Sequence, residues 1–372
     1  MLSIFKQYKI KYFDFRLVFF AAVLSIIGVL LVGSAKASVQ NKQIAGLIMG
    51  LIIMVIVSFI DYNQLLKYSW VFYAANFVLL IAVRIFGDDS GGATRWLNIA
   101  GIRFQPTELS KIVLILFFAA LFLKMKDQIN TMKGLLTAVV LLIIPVALVL
   151  LQPDLSSSIV IVVIFAAIIF VAGLNYKIVL GFLGIVVPVI CISIALLVSG
   201  TITVSESHQY QVNRILAWLH PDDYPQLALQ TINSIMAIGS GQVFGKGLYN
   251  DAIDSVKNGN YISEPQTDFI FAVAGEEIGF VGCTIIIILL FLIVFECIIL
   301  ARKAKDMGGR LICIGVGCWI GFQAFVNIGV TTGLLPNTGV TLPFISYGLT
   351  SLISLYIALG IVLNVGMQPK LY

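Results

Sequence analysis

Long apolar stretches separated by shorter polar segments dominate the chain of 372 residues. A helix needs about 17 to 25 predominantly apolar residues to cross a bilayer. Ten stretches reach at least the lower end of this range, at roughly 17–34, 44–60, 69–86, 107–123, 134–151, 156–174, 178–199, 269–300, 311–333 and 346–366. The pattern predicts an all-α integral membrane protein with ten transmembrane helices, forming a single polytopic membrane domain over residues 1–372.

Two polar segments are longer than the others, at about 87–106 and 200–268. Lys and Arg are more frequent in the segments that an inside start places in the cytoplasm, so we predict cytoplasmic termini and two long extracytoplasmic loops. The larger loop joins helices 7 and 8, and loops of this length are usually functional. Its apolar spacing predicts two short helices, at 210–219 and 227–238.

The composition excludes a soluble domain, because 60% of the residues are hydrophobic and only 11% are charged, whereas soluble domains have about 25%. The net charge of +5 follows from the positive-inside bias and from contact with anionic membrane lipids. It therefore predicts no nucleic-acid partner. All five cysteines lie in apolar stretches without metal-ligand spacing, and the chain has two histidines, so the residues predict no metal centre built from Cys or His.

A first polar cluster leads into the fourth apolar stretch. Arg95 and Trp96 lie in the first long loop, and Glu108 and Lys111 are i and i+3 neighbours where the next helix starts. Two interpretations of Glu108 and Lys111 stay open. They form either an ion pair that suits a helix start or the polar wall of a cavity, which the position of Lys111 inside an apolar helix favours.

Three carboxylates lie around the start of the eighth stretch. Asp268 ends the long polar loop, where it is either an N-terminal cap or a chemical reagent. The stretch 269–300 would measure about 48 Å as a straight helix, compared with a hydrocarbon core of about 30 Å. Its first third must therefore project outward or line a cavity. We expect Glu276 and Glu277, which lie there, to face protein, water or headgroups.

Further polar candidates lie in the larger loop, in the connection before the last apolar stretch and on a short turn. Arg214 lies in the first predicted short helix. Lys246 lies in a glycine-rich segment that is not a phosphate loop, because neither Ser nor Thr follows the lysine. Ser346 belongs to an uncharged tight or re-entrant connection at 333–348. Asp154, on a short turn, is predicted to cap the sixth helix.

Three motifs, taken together, resemble the SEDS family of bacterial shape, elongation, division and sporulation proteins, which includes RodA, FtsW and SpoVE. They are Gly-Ala-Thr-Arg-Trp-Leu-Asn with Phe-Gln-Pro-Thr-Glu-Leu-Ser-Lys, then Glu-Pro-Gln-Thr-Asp-Phe-Ile-Phe, then Leu-Pro-Phe-Ile-Ser-Tyr-Gly. The resemblance covers nearly the whole chain, and the glycine-rich segment and short tails look most like RodA. Gln266 departs from the pattern where many members have His, and Leu349-Thr350 replaces the usual Gly-Ser.

The resemblance implies a peptidoglycan glycosyltransferase that polymerises lipid II at the outer face of the bacterial cytoplasmic membrane. It also implies a class B penicillin-binding protein as the partner that supplies transpeptidation. By motif match, Asp268 falls on the family's essential acid, Arg95 and Trp96 on its first outer-loop signature, and Glu108 and Lys111 on its fourth-helix pair.

Inverting transfer from an α-linked lipid pyrophosphate needs one base for the acceptor hydroxyl and positive charge for the leaving group. We predict Asp268 as the general base. The charge comes from basic side chains or from a divalent cation, Mg²⁺ or Mn²⁺, held by outer acids. The predicted substrate-binding residues are Arg95, Trp96, Glu108, Lys111, Arg214, Lys246, Glu276, Glu277 and Ser346.

Two other functions stay open. A noncatalytic scaffold for a synthase fits the re-entrant segments but leaves Asp268 unexplained. The other alternative is a flippase for the lipid-linked precursor. It is supported by polar residues within helices, notably Glu108, Lys111, Glu296, Gln323 and Asn327. An assay of purified protein in detergent distinguishes the two, because an enzyme can polymerise there whereas a flippase cannot show net translocation.

Overall fold

The computed structural model is mostly helical and describes residues 10–90, 93–99, 102–126, 128–198, 206–250, 255, 259 and 262–368. A short 3₁₀ helix, Ile10–Tyr12, comes first. The α-helices that follow are α1 (Phe15–Ala35), α2 (Ala37–Ser58), α3 (Tyr62–Lys67), α4 (Ser69–Phe86), α5 (Pro106–Lys124), α6 (Met132–Leu150), α7 (Leu155–Val171), α8 (Tyr176–Val198), α9 (Glu206–Leu219), α10 (Pro225–Ser240), α11 (Ile270–Lys303), α12 (Met307–Thr331) and α13 (Leu349–Gly366).

The first long loop contains a small antiparallel sheet, which the hydropathy pattern does not predict. Strands β1 (Asp88–Ser90), β2 (Ala93–Ile99) and β3 (Ile102–Phe104) lie side by side in that order. Asp88 pairs with Trp96, and Leu97 pairs with Phe104. Because β3 ends just before α5 begins, the sheet positions β2 close to the start of α5.

Each of the ten predicted apolar stretches coincides with a helix, namely α1, α2, α4 to α8 and α11 to α13. By length and composition of the described residues, eight of these helices are able to cross a membrane, and α7 and α8 are not among those eight. A multi-pass, mostly helical membrane protein is therefore confirmed, whereas the count of ten crossings stays a prediction. The two short helices expected in the larger loop are present as α9 and α10.

The core lies around α12, which packs against both α5 and α11. Helix α5 is buried along nearly its whole length, α12 packs against α5, α7 and α11, and α2 packs along α13. The buried apolar side chains from these helices form one large cluster. Polar residues inside this cluster must therefore be paired within the protein.

The long eighth stretch is broken rather than straight. Gly279 in α11 has φ 63° and ψ −165°, a backbone conformation that is essentially restricted to glycine. Residues Ile270 to Glu277 before the break are buried in protein, so this third lines the interior. The backbone groups next to the break pair with residues 242–247, through Phe280 N to Gln242 O, Val281 N to Val243 O, Lys246 N to Glu276 O and Gly247 N to Glu277 O, all at 2.9 to 3.1 Å.

Candidate active site

The backbone around Asp268 is held against the uncharged connection between α12 and α13. Asn327 Nδ2 donates to the carbonyl oxygens of Asp268 and Val340, at 2.8 and 2.6 Å. Ser346 Oγ donates to Thr267 O at 2.7 Å. The connection therefore fixes the segment that carries Asp268, although the two regions are far apart in sequence.

The carboxylate of Asp268 does not serve as a helix cap. The N-cap of α11 is Phe269, and no side chain caps that helix. Asp268 is partly exposed, and among the described residues no hydrogen bond to its carboxylate is present. The cap interpretation is wrong, and the side chain is left available for chemistry.

Although Asp268 is partly exposed, the protein packed around its carboxylate removes water from it, and this desolvation raises the pKa of Asp268 to about 6. The positive charges of Arg214 and Arg95 lower this pKa, and the negative charges of Asp154 and Glu264 raise it. Two arginines and three carboxylates thus form one electrostatic group, which we call the Asp268 group. A carboxylate with this pKa is mostly ionised at neutral pH and is a stronger base than an ordinary aspartate.

The arginines of the Asp268 group are oriented by backbone carbonyls. Arg214 Nη1 donates to Asn337 O at 3.2 Å. Arg95, on β2, donates from Nε to Gln152 O at 3.4 Å and from Nη2 to Pro153 O. These contacts connect the sheet to the turn between α6 and α7. Trp96, the next residue on β2, is partly exposed.

Asp154 caps α7, as predicted for the sixth apolar stretch. Its Oδ1 accepts from Ser157 N at 3.1 Å, and its Oδ2 accepts from Ser157 Oγ at 2.8 Å. The side chain is buried, and it contributes negative charge to the Asp268 group. The same residue therefore stabilises a helix start and raises the pKa of the candidate base.

Glu108 and Lys111 form a closed ion pair inside the protein. Lys111 Nζ lies 2.7 Å from Glu108 Oε1, with side-chain exposures of 2% and 6%. The same ammonium group donates to Gln323 Oε1 at 3.2 Å and lies 5.0 Å from the centre of the Trp319 ring. Within the described chain, Glu108 Oε2 is buried without a hydrogen-bond partner. Substrate contact by either residue stays a prediction.

Lys246, Glu276 and Glu277 lie at the break in α11. Lys246 Nζ is 3.0 Å from Glu276 Oε1, and Ser34 Oγ donates to Glu277 Oε1. Both carboxylates are buried, as expected for acids that avoid lipid. The contacts of these side chains tie α1, α11 and the glycine-rich segment together, and no described hydrogen bond connects them with Asp268.

The hydroxyl of Ser346 forms two hydrogen bonds to the protein backbone. The oxygen accepts from Leu342 N at 2.7 Å while its only hydrogen is donated to Thr267 O. Because a hydroxyl has one donor, Ser346 has no further hydrogen to donate in this arrangement. Its predicted role in substrate binding is not tested by these contacts.

Several polar atoms near Asp268 are not predicted by the sequence. Thr338 Oγ1, Asn337 Oδ1 and Asn327 Oδ1 are buried and have no hydrogen-bond partner within the described residues. Gly339 has φ +74°, and a Cβ placed there would lie 3.4 Å from Asp268 Oδ2. The lack of charge at 333–348 indicates packing alone, and nothing in the sequence shows that a glycine there faces Asp268.

The described residues contain no group of three or more His, Cys, Asp or Glu side chains able to hold a metal ion. The predicted Mg²⁺ or Mn²⁺ stays untested.

A family model described as Cell cycle protein, FTSW_RODA_SPOVE, matches residues 7–371. A protein of Wigglesworthia glossinidia brevipalpis named probable peptidoglycan glycosyltransferase FtsW is 32% identical over 387 residues, which cover 98% of this chain and 96% of that protein. One of Geobacter metallireducens with the same name is 33% identical and covers 97% and 96%.

Solved structures show the same fold. A chain from work described as "Structural coordination of polymerization and crosslinking by a peptidoglycan synthase complex" aligns with a TM-score of 0.78 and 28% identity, covering 95% of this chain and 97% of that one. The rod shape determining protein RodA of Thermus thermophilus aligns with a TM-score of 0.68 and 28% identity, covering 95% and 96%.

Proposed function

The chain belongs to the FtsW, RodA and SpoVE family, and from this premise we propose that it is a peptidoglycan glycosyltransferase that polymerises lipid II. The observation that carries the proposal is the state of Asp268, an acid with a pKa of about 6 that no described side chain pairs by a hydrogen bond. The names of the relatives favour this activity over a lipid flippase.

Asp268 acts as the general base. In its ionised form it accepts the proton of the acceptor hydroxyl while that oxygen attacks the anomeric carbon of the donor and the bond to the lipid pyrophosphate breaks. One base suffices for a single displacement with inversion. A positioned base contributes about 10² to 10⁴ in rate, and the fixed backbone around Asp268 provides that positioning.

Arg214 and Arg95 meet the negative charge that develops on the leaving pyrophosphate. Both guanidinium groups are close enough to Asp268 to lower its pKa, so donor and acceptor would meet between the base and these cations. Guanidinium groups bind phosphate oxygens in a bidentate manner. Lys111, by contrast, is already paired with Glu108, which makes it a weaker candidate for this contact.

The site works at the outer face of the bacterial cytoplasmic membrane, and both termini lie in the cytoplasm. This orientation is supported by the distribution of Lys and Arg and requires α7 and α8 to cross the membrane, giving ten crossings with the larger loop between helices 7 and 8. The partner is a class B penicillin-binding protein, because a structural relative belongs to a complex that couples polymerization with crosslinking.

These comparisons establish the family but do not distinguish its subtypes. The glycine-rich segment favours a RodA-like protein of elongation, whereas the relatives compared above are named probable FtsW. We keep the RodA-like assignment as part of the proposal. Its test is whether depletion in the native cell causes rounding, as loss of elongation would, or filaments, as loss of division would.

The activity is tested with purified protein in detergent, alone and with the candidate transpeptidase, using labelled lipid II and gel analysis of glycan length. We expect glycan strands, made in greater amount with the partner. Detergent removes the two compartments that a flippase needs, so polymer formed there supports the enzyme. If a known polymerase consumes the same lipid II while this protein makes no glycan, with or without the partner, the proposal is contradicted.

A further inference from the structure

A cavity of about 150 Å³ lies beside the Asp268 group, between α9, α10 and the start of the connection at 333–337. Its walls are mainly apolar, and Trp218 and Ile235 are among the side chains that line it. Trp218 Nε1 donates to Gly333 O at 2.9 Å, which fixes the indole ring in the wall. We call this space the α9–α10 cavity.

One end of the α9–α10 cavity is positively charged. Arg214 lines it and also belongs to the Asp268 group. A Cβ built on Gly339 would lie 3.9 Å from Arg214 Nη1 and 3.4 Å from Asp268 Oδ2, so the guanidinium group lies next to both the cavity and the carboxylate. Asn337, another lining residue, has a buried Oδ1 without a partner in the described chain.

The shape and chemistry of this space suit an amphiphile with an anionic head. An apolar cavity of about 150 Å³ accommodates a group the size of benzene, which is close to one isoprene unit. Two of the lining residues, Ile232 and Ile235, also expose 42% and 46% of their surface, which gives a longer chain an apolar path along α10. A pyrophosphate at Arg214 would then lie beside Asp268.

We propose that the α9–α10 cavity binds the first isoprene unit of a polyprenyl pyrophosphate, with the pyrophosphate on Arg214. This inference rests on the proposed function, since it assigns the lipid part of the same substrate. It commits to a prenyl chain rather than a phospholipid acyl chain, because a head joined directly to the chain places the charge at the cavity's end and the sugar toward Asp268.

The test uses binding rather than turnover. Farnesyl pyrophosphate is titrated into purified protein in detergent, and the change in tryptophan fluorescence is compared with that of Trp218→Phe protein. Ile235→Trp, which fills the cavity, is expected to weaken binding about tenfold or more, in line with the effect of small changes in apolar pockets. Met236→Trp is the matched control, because Met236 is the next residue on α10, is 59% exposed and does not line the cavity.

Further measurements distinguish binding of the pyrophosphate group from binding of the prenyl chain. Ile232→Trp repeats the test in case Ile235→Trp does not fold, as judged by thermal unfolding. Inorganic pyrophosphate binding should fall with Arg214→Met and stay unchanged with Ile235→Trp. Equal weakening by Met236→Trp, no weakening by either cavity-filling variant, or displacement of the probe by phosphatidylglycerol at equal concentration would overturn the inference.

These outcomes are distinguishable from failure of the proposed function. Binding that follows the expected pattern in a protein that makes no glycan would leave the cavity assignment standing and remove the polymerase. Glycan synthesis with an unchanged Michaelis constant for lipid II in both cavity-filling variants would leave the polymerase standing and overturn the cavity assignment.

Discussion

Two acidic residues near the same end of the helices lie in opposite environments. Glu108 is buried within α5 and pairs with Lys111 at 2.7 Å, inside a network that includes Gln323 and Trp319. Asp268 is partly exposed, lies outside any helix, and has arginines nearby without a described hydrogen bond to its carboxylate. Both acids lie beside a cation, yet within the described residues only Glu108 forms a direct ion pair with it.

The difference separates charges that hold the fold from charges that can react. When one partner of a buried ion pair is removed, the charge of the other is left uncompensated, which is strongly destabilising. Substitution of an acidic residue whose carboxylate has no hydrogen-bond partner should have little effect on the stability of the fold. The two regions should therefore respond oppositely when activity and stability are measured on the same variants.

The largest effect is expected for Asp268→Asn. Loss of the base should lower lipid II polymerisation by about 10² to 10⁴, while the thermal midpoint stays near that of the wild type, because no described hydrogen bond is removed. Polymerisation is followed by gel analysis and folding by thermal unfolding in the same detergent. Asp222→Asn, the same change at an exposed position, should retain activity. Rapid glycan synthesis by the folded Asp268→Asn protein would end the role of Asp268 as base.

The second prediction concerns the closed pair. Lys111→Met should lose about 3 to 5 kcal/mol of stability, because a buried carboxylate is left without its cation. The double variant Glu108→Gln with Lys111→Met should recover most of that loss, which a double-mutant cycle in denaturant would measure. A stable Lys111→Met protein with a strongly raised Michaelis constant would instead show that Lys111 binds substrate.

The third prediction uses pH. Only the ionised form of Asp268 accepts a proton, so kcat/KM should rise with pH through a value of about 6 and be lost below it, whereas an ordinary aspartate would keep activity to about pH 4. Arg214→Met removes the largest influence that lowers this pKa, so its acid limb should move to higher pH. Lys133→Met, an exposed change on α6, should leave the limb in place.

The sequence predicts the parts of this molecule that depend on local composition. Apolar length locates the helices, and the polar residue before a helix identifies the Asp154 cap. The break at Gly279 is not predicted, because hydropathy reports the composition of a stretch and not its backbone angles. That break is stable only because residues 242–247 supply its hydrogen bonds, and such non-local pairing leaves no periodic pattern.

The candidate site shows the same division. Asp268 and the two arginines can be selected from residue type and family motif, because charge is rare in this chain. Their grouping, the closure of Glu108 by Lys111 and the position of Gly339 come from packing between segments distant in sequence. The three-stranded sheet is a further example, since strands of three residues are stabilised by their neighbours more than by their own propensity.

The smallest effect tests whether open space beside Asp268 matters. Gly339 has φ +74°, and a Cβ there would lie 3.4 Å from Asp268 Oδ2, so Gly339→Ala adds backbone strain of about 1 to 2 kcal/mol and crowds the carboxylate. Gly173→Ala supplies the matched control, because Gly173 has φ +109° with nothing within 4 Å of an added Cβ. Both should lower the thermal midpoint, but only Gly339→Ala should also reduce kcat/KM several-fold and raise the pH of the acid limb, since a methyl group desolvates the carboxylate. Equal activity in the two variants would mean that the approach to Asp268 lies on another side of the carboxylate.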